Sequence, residues 1–260
     1  MSEFGSVRSL ERGLDILVVI NKNNGAKAAE IARATNIPRP TVYRLLETLE
    51  GLGFIFRDHT ADKWRASLRT KLLSSGFRDE DWVSLSAMPE MTRLTRDILW
   101  PLDLVVFRDF QMVIRESTHN ISPYSIDHGM VGVKLPVLET SGGRAYLAFS
   151  SDQQREETLS GIEAKFGLKR PFILKDGPLE HILEKTCQRG IGFRVEDYIG
   201  TTMSMSAPIF HQDRVISCLT IILTSSALKF DKAVELYRDK LLATTRKISA
   251  EFEQQYISEE

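Results

Sequence analysis

The chain has 260 residues, 42% of them hydrophobic and 27% charged, with a formal net charge of −1. That balance describes a globular protein long enough for two domains, and it excludes a disordered or strongly polycationic chain. No stretch approaches the roughly 20 apolar residues of a membrane span and no charged-then-apolar leader is present, so no membrane partner is expected. Cys187 and Cys218 are too few and too isolated for a disulfide framework, which points to the cytoplasm.

Met1-Ser2-Glu3-Phe4-Gly5-Ser6 has the character of a cloning remnant and enters no fold argument. Leu10, Leu14, Leu17 and Val18 then predict a first amphipathic helix that covers the next two. Ala28, Ile31 and Ala32 form one apolar stripe at helical spacing, and Val42, Leu45, Leu46 and Leu49 form another. Between them stands Thr35-Asn36-Ile37-Pro38, with Pro where a helix start accepts it and Asn36 able to enter the left-handed region at little cost. The pattern is helix, tight corner, helix. With the leucines inward, Pro40, Arg44 and Glu47 point outward, flanked by Arg39, Thr41, Tyr43 and Thr48. Such a face can grip phosphates and read guanine edges.

An ordinary helical hairpin with a solvated outer face would show the same leucines. What separates the two readings is the next segment. Residues 53–57 read as a strand, His59 to Lys63 as a turn, and Trp64-Arg65-Ala66 as a returning strand. A two-stranded ribbon directly after the second helix is a wing, with Arg57, Lys63 and Arg65 available for DNA phosphates. The unit is a winged helix-turn-helix expected over residues 7–67. Charge agrees in sign: residues 1–71 carry a net of +4 and the remainder a net of −5.

Residues 68–75 predict a short helix with Leu68, Leu72 and Leu73 inward, within a linker at 68–78. The effector-binding domain is expected over 79–258. Its first helix is capped by Asp79-Glu80-Asp81 and carries Leu85, Met88, Met91, Leu94 and Ile98 on one side. Strands are expected at 102–108 and 112–116, joined tightly by Asp109-Phe110-Gln111, with an extended stretch at 122–127. Helices follow at 144–149, 152–159 and 178–189. A hairpin of 204–210 and 214–223 turns at His211-Gln212-Asp213, and a last helix spans 232–256. The fold class is α+β, an antiparallel sheet framed by helices on one face, GAF-like in shape, with an open pocket.

Thr140-Ser141-Gly142-Gly143 precedes the helix at 144–149. Its backbone N–H groups and the helix dipole suit an organic carboxylate, although Thr140 or Ser141 capping the helix accounts for the same residues. Met130, Val131 and Leu135 are placed to enclose an apolar ligand body.

These blocks resemble, across nearly the whole chain, the IclR family of bacterial transcription regulators. Ser9-Leu10-Glu11-Arg12-Gly13-Leu14-Asp15-Ile16-Leu17 is similar to its opening helix. Ala29-Glu30-Ile31-Ala32, Pro38 and Thr41-Val42-Tyr43-Arg44-Leu45-Leu46-Glu47-Thr48-Leu49 resemble its helix-turn-helix. Gly132-Val133-Lys134-Leu135-Pro136 with Gly142-Gly143-Arg144-Ala145-Tyr146-Leu147-Ala148 resembles the start of its effector pocket. Asn36 stands where a turn glycine is usual. Gly142 replaces a residue with a side chain, which is expected to reshape the pocket. The resemblance implies an effector site that also draws on Glu196, Asp197, Ser204, Ser206, Cys218 and Thr220. Within the family, Ser75-Gly76-Phe77-Arg78-Asp79-Glu80-Asp81-Trp82, Trp100-Pro101, Val113-Ile114-Arg115-Glu116-Ser117-Thr118-His119 and Met130-Val131-Gly132 resemble regulators of aromatic-acid catabolism of the hydroxyphenylpropionate type.

The implied protein binds an inverted-repeat operator in double-stranded DNA as a homodimer or tetramer. The first helix and the 68–75 helix bring two heads together. Its effector is a small organic acid, an aromatic carboxylate in preference to a short aliphatic one, and RNA polymerase is a candidate further partner. An enzyme is the rival class, since some small-molecule methyltransferases carry a winged helix. Ser141-Gly142-Gly143 lacks the glycine spacing of a nucleotide-like cofactor loop, and no catalytic elbow or carboxylate pair stands out. Neither a cofactor nor a metal is expected: His119 and His128 read as polar pocket or surface groups. A redox sensor would need Cys187 and Cys218 to act together, and both read as buried structural thiols.

Overall fold

The computed structural model describes residues 6–73, 82–126, 131–175, 177–195 and 201–259. It divides into two compact units, one built on residues 1–78 and the other on 79–125 and 130–260. Three helices and a ribbon make the first: α1 (Arg8–Lys22), α2 (Ala28–Thr35), α3 (Arg39–Gly51), β1 (Ile55–Asp58) and β2 (Lys63–Ala66). Ile16, Ile20, Ile31, Val42, Leu46, Ile55 and Trp64 fill its core. Asn36 closes α2 at φ +54°, the left-handed corner its side chain tolerates. Pro38 precedes α3 and Pro40 lies in its first turn.

The face of α1 differs from the sequence expectation. Two apolar stripes compete on this helix, and the core takes Ile16 and Ile20, while Leu10, Leu14 and Val18 stand at 62%, 51% and 63% exposure. Leu17 is half-buried. The 68–75 helix is corrected likewise. Leu68–Leu73 is a 3-10 turn with Leu68, Leu72 and Leu73 all exposed. It is held by polar anchors instead, Ser67 Oγ donating to Gly53 O at 2.5 Å and Thr70 Oγ1 to Phe54 O at 2.9 Å. The cap at Asp79-Glu80-Asp81 and the rest of the 68–78 linker lie outside the described residues.

The second unit is an antiparallel six-stranded sheet in the order β5-β4-β3-β10-β9-β8. Its strands are β3 (Leu102–Arg108), β4 (Gln111–Ser117), β5 (Lys134–Leu135), β8 (Gly192–Arg194), β9 (Thr202–His211) and β10 (Arg214–Thr224). A small ribbon pairs β6 (Ile173–Leu174) with β7 (Gly177–Pro178). The helices are α4 (Met88–Ile98), α5 (Ser141–Phe149), α6 (Asp152–Phe166), α7 (Leu179–Arg189) and α8 (Phe230–Glu259). The α+β architecture is the one expected, but helices cover both faces of the sheet. Alternation explains why: Leu102, Leu104, Met203, Met205, Ala207, Leu219 and Ile221 share a core with α4 and α8. The opposite residues of the same strands face α5 and a second core containing Val105, Met112, Ile114 and Cys218. Lys247 of α8 meets the buried Glu90 of α4 at 2.7 Å and Arg93 also pairs with it, so the carboxylate that packing hides is neutralised.

Four further differences have local causes. A π-helical turn, Val83–Ala87, precedes α4. Its extra residue rotates Leu85 outward to 63% exposure, away from Met91, Leu94 and Ile98. Residues 122–126 form turns rather than a strand. Helix α6 continues seven residues past Leu159 to Phe166 because Gly161 leaves room for the Phe110 ring, whose Cε1 lies 1.9 Å from where a Cβ would stand. The short strands β5, β6, β7 and β8 have too little pattern to read from sequence. The tight turn at Asp109 and Phe110 is as expected, both at positive φ.

Candidate DNA interface and effector site

In the first unit, α3 presents Arg39, Pro40, Tyr43 and Arg44 to solvent, with Thr41 half-buried. Thr48 Oγ1 turns back onto Arg44 O at 2.9 Å, so it reinforces the helix instead of reaching outward. A groove of about 800 Å³ runs between α1 and α3, lined by Ser9, Leu10, Thr41, Arg44, Leu45, Glu47 and Thr48. The ribbon pairs Asp58 with Lys63 and Phe56 with Arg65. Lys63 stands at the tip side of this ribbon and is half-buried.

Arg65 is also engaged within the unit. Its Nε donates to Asp58 Oδ2 at 2.7 Å and its Nη1 to Asn24 O at 2.8 Å, locking the ribbon to the turn before α2. Asp58 also accepts from the Thr60 and Ala61 N–H groups, so it organises the wing tip. The Arg65 guanidinium, followed by the Ala61 N–H, holds the Asp58 carboxyl below the usual carboxylate range. Arg57 is drawn to Asp62 at 3.3 Å and lies over the Trp64 ring. Of the wing cations, Lys63 is the one with no ion pair recorded among the described residues.

In the second unit the site gathers beneath the start of α5. Thr140 is the helix cap, its Oγ1 accepting from Gly143 N at 3.3 Å, which is the alternative the sequence left open. Ser141 Oγ donates to Ser204 Oγ at 2.8 Å. Gly142 sits over the sheet, where an added Cβ would lie 2.7 Å from Val105 Cγ2, 3.5 Å from Thr220 Oγ1 and 3.8 Å from Ser206 Oγ. Gly142 therefore permits close helix-to-sheet contact rather than opening space. A leucine there would break the core, so it is no clean probe of ligand binding. Gly143 and Gly192 have backbone neighbours, Val137 O and Ser141 O, at 2.0 and 2.1 Å from the Cβ they lack.

Ser141, Gly142, Ser204, Ser206, Cys218 and Thr220 thus converge, and the two hydroxyls of Ser206 and Thr220 meet at 2.9 Å. Burial pushes the Cys218 thiol far up, so it stays protonated and apolar. Cys187 is exposed on α7, against the expectation of a buried thiol, with its Sγ donating to Ala148 O of α5 at 3.5 Å. Val131 is 55% exposed. Leu135 is half-buried and pairs with Met112 at the sheet edge. Met130, Glu196, Asp197 and His128 lie outside the described residues.

Sequence reasoning singled out neither Arg144 nor Asp103 as a site residue, and it read His119 as a polar pocket or surface group. Arg144 is fully buried, with Nε on Leu138 O at 3.0 Å and Nη1 on Phe193 O at 2.7 Å, pinning the segment before α5 to β8. Its place right after the glycine pair was the available signal. Asp103 and His119 are each only 4% exposed, and Asp103 Oδ1 lies 3.7 Å from His119 Nε2. Strand register, invisible in sequence, puts Asp103 opposite Thr220. Among the described residues no cluster of metal-ligating side chains occurs, and no helix is long and apolar enough to cross a membrane.

The model of the IclR helix-turn-helix domain matches residues 9–59, and that of the bacterial transcriptional regulator IclR C-terminal matches residues 83–250. The acetate operon repressor of Salmonella typhimurium is 27% identical over 240 residues, covering 89% of this chain and 85% of that protein. The crystal structure of the Thermotoga maritima IclR superposes with a TM-score of 0.65 at 21% identity, covering 95% of this chain and 100% of that one. An IclR homolog from Microbacterium hydrocarbonoxydans, complexed with 4-hydroxybenzoate, superposes at 0.56 with 21% identity over 93% of this chain and 99% of that one.

Proposed function

Since the chain belongs to the IclR family of bacterial transcriptional regulators, ligand-responsive DNA-binding proteins rather than enzymes, we propose that it senses a hydroxylated aromatic carboxylate and controls an aromatic-acid catabolic operon. The observation that carries the reading is the buried group of hydroxyls on the sheet face under α5: Ser141, Ser204, Ser206 and Thr220. These hydroxyls pair with one another, Ser141 with Ser204 and Ser206 with Thr220, and the donor and acceptor capacity each retains suits a ligand with several polar groups. The carboxylate goes to the first turn of α5, whose leading N–H groups have no helical acceptor. The same fold holds 4-hydroxybenzoate in the Microbacterium hydrocarbonoxydans homolog. A second reading, a short aliphatic acid, has its support in the name of the acetate operon repressor. Calorimetry separates them: heat with 4-hydroxybenzoate or 3-(3-hydroxyphenyl)propionate is expected, whereas binding of glyoxylate or pyruvate alone overturns the aromatic class.

On DNA, Arg44 is assigned base reading and Arg39 a contact at the helix start, with Pro40 at the approach. Thr41, Tyr43 and Lys63 position the protein on the backbone. The division proposed is a DNA head at 7–67, a linker at 68–78 and an effector domain at 79–258. We assign the exposed apolar stripe of α1, Leu10, Leu14 and Val18, together with Leu68, Leu72 and Leu73, to pairing two heads on an inverted repeat. Such an operator would place the protein in the cytoplasm, with RNA polymerase its partner where it activates. Sedimentation of Leu14→Glu tests the pairing: an oligomer as stable as that of the unaltered chain removes α1 from it.

A further inference from the structure

Strand register on the α5 side of the sheet lines up a row of five residues. Gly192 pairs with Ser206, Ser206 with Thr220, Thr220 with Asp103, and Asp103 with Ser117. Directly paired residues of antiparallel strands point the same way, so the row crosses the sheet on one face. The start of α5 covers the Gly192 end, where Gly142 lies over Ser206 and Thr220. Asp103 is one strand further along, about 4.8 Å away.

The row changes character there. Serine and threonine hydroxyls both donate and accept, but an ionised carboxylate only accepts. Asp103 faces away from the core that Leu102 and Leu104 on either side of it fill. The strand beside it is anchored. Thr118 Oγ1 accepts from Leu102 N at 2.8 Å and bonds Thr95 Oγ1 at 2.7 Å, fixing the end of β4 beside β3. His119 follows at once, with Nε2 toward Asp103 at 3.7 Å and Nδ1 bonded to Ser125 Oγ at 2.6 Å. The Ser125 bond orients the imidazole beside the Asp103 carboxyl group, whose oxygens can accept a hydrogen bond.

We propose that Asp103, positioned by His119, is a specificity residue that accepts a hydrogen bond from a hydroxyl group of the effector. This rests on the reading that the effector lies over this face with its acid group at α5. The two ends then differ in kind: the helix start offers N–H donors to the acid group, and Asp103 offers carboxyl oxygens to a hydroxyl. An acid lacking a hydroxyl leaves the buried carboxylate facing an apolar atom, which is how a polar site rejects an analogue.

The test is calorimetry on the full chain with three pairs of acids: 3-(3-hydroxyphenyl)propionate and 3-phenylpropionate, 4-hydroxybenzoate and benzoate, lactate and propionate. The expected result is that at least one hydroxylated acid binds roughly 10-fold or more tightly than its partner. In Asp103→Asn that preference should fall below about threefold while the unhydroxylated acid keeps its affinity. The methyl ether of the preferred phenol, measured on the unaltered protein, needs no variant to fold and should bind as weakly as the unhydroxylated acid. Full preference in a folded Asp103→Asn, equal binding of the methyl ether, or no hydroxyl preference in any pair overturns the proposal. Preference confined to lactate and lost in Asp103→Asn would keep Asp103 in its role and remove the aromatic reading instead.

Discussion

The two units put their functional side chains on opposite sides of the folding problem. In the first, the core is apolar and the α3 residues assigned to DNA are what packing leaves over: Val42, Leu46 and Leu49 go in, Arg39, Tyr43 and Arg44 stay out. In the second, the residues assigned to the effector are themselves buried, with Ser206 at 0% and Ser141 at 1% exposure. The DNA face can therefore be changed without touching stability, whereas the effector face cannot be altered without risk to the fold. A surface site is additive to its scaffold; a buried site is part of it.

The sharpest break of that contrast is Arg144→Ala. Removing the guanidinium leaves the Leu138 and Phe193 carbonyls without their donor and opens a cavity, so a loss of about 3–5 kcal/mol of stability is expected. Chemical denaturation followed by a probe in the second unit measures it. A loss under about 1 kcal/mol would show that the α5 seat does not depend on this arginine.

Next in size is Arg44→Ala, for which operator affinity should fall by roughly 1–3 kcal/mol with relaxed preference at one base step. The melting temperature should not move, since Arg44 is exposed. Lys63→Ala should weaken all DNA sequences alike and lower the salt dependence of binding. Unaltered operator affinity in Arg44→Ala, read by gel shift, would remove α3 from the groove.

Thr220→Val keeps the shape of the side chain and deletes the hydroxyl that meets Ser206. Stability should change by about 1 kcal/mol, and effector affinity by at least as much. Effector binding unchanged beside a measurable stability loss would make the hydroxyl group structural only.

The smallest effect belongs to the wing. Asp58 is depressed mainly by Arg65, so its contribution is present above the ordinary carboxylate range and is lost as pH falls through its lowered value. Asp58→Ala should melt slightly below the unaltered chain at pH 7, and the gap should close below about pH 4. A gap that persists at low pH would assign the effect to something other than the ionised pair.

The sequence by itself determined what local spacing encodes: the helix, corner, helix and ribbon of the first unit, the left-handed Asn36 and the hairpin of β9 and β10. Each is set by residues within a few positions of one another, where propensity and periodicity act directly. Helix α5 was expected from residue 144 and starts at Ser141. Only the tertiary structure decided which of two apolar stripes of α1 is buried, because that depends on the shape of the surface it meets. It decided that Arg65 latches the wing to Asn24, 41 positions away in the chain. It decided, too, that Asp103 joins Ser206 and Thr220, since strand register brings residues more than 100 positions apart onto one row. A buried polar group carries no periodic signature: a serine on a sheet face and a serine in a loop read alike until the partner strands are in place.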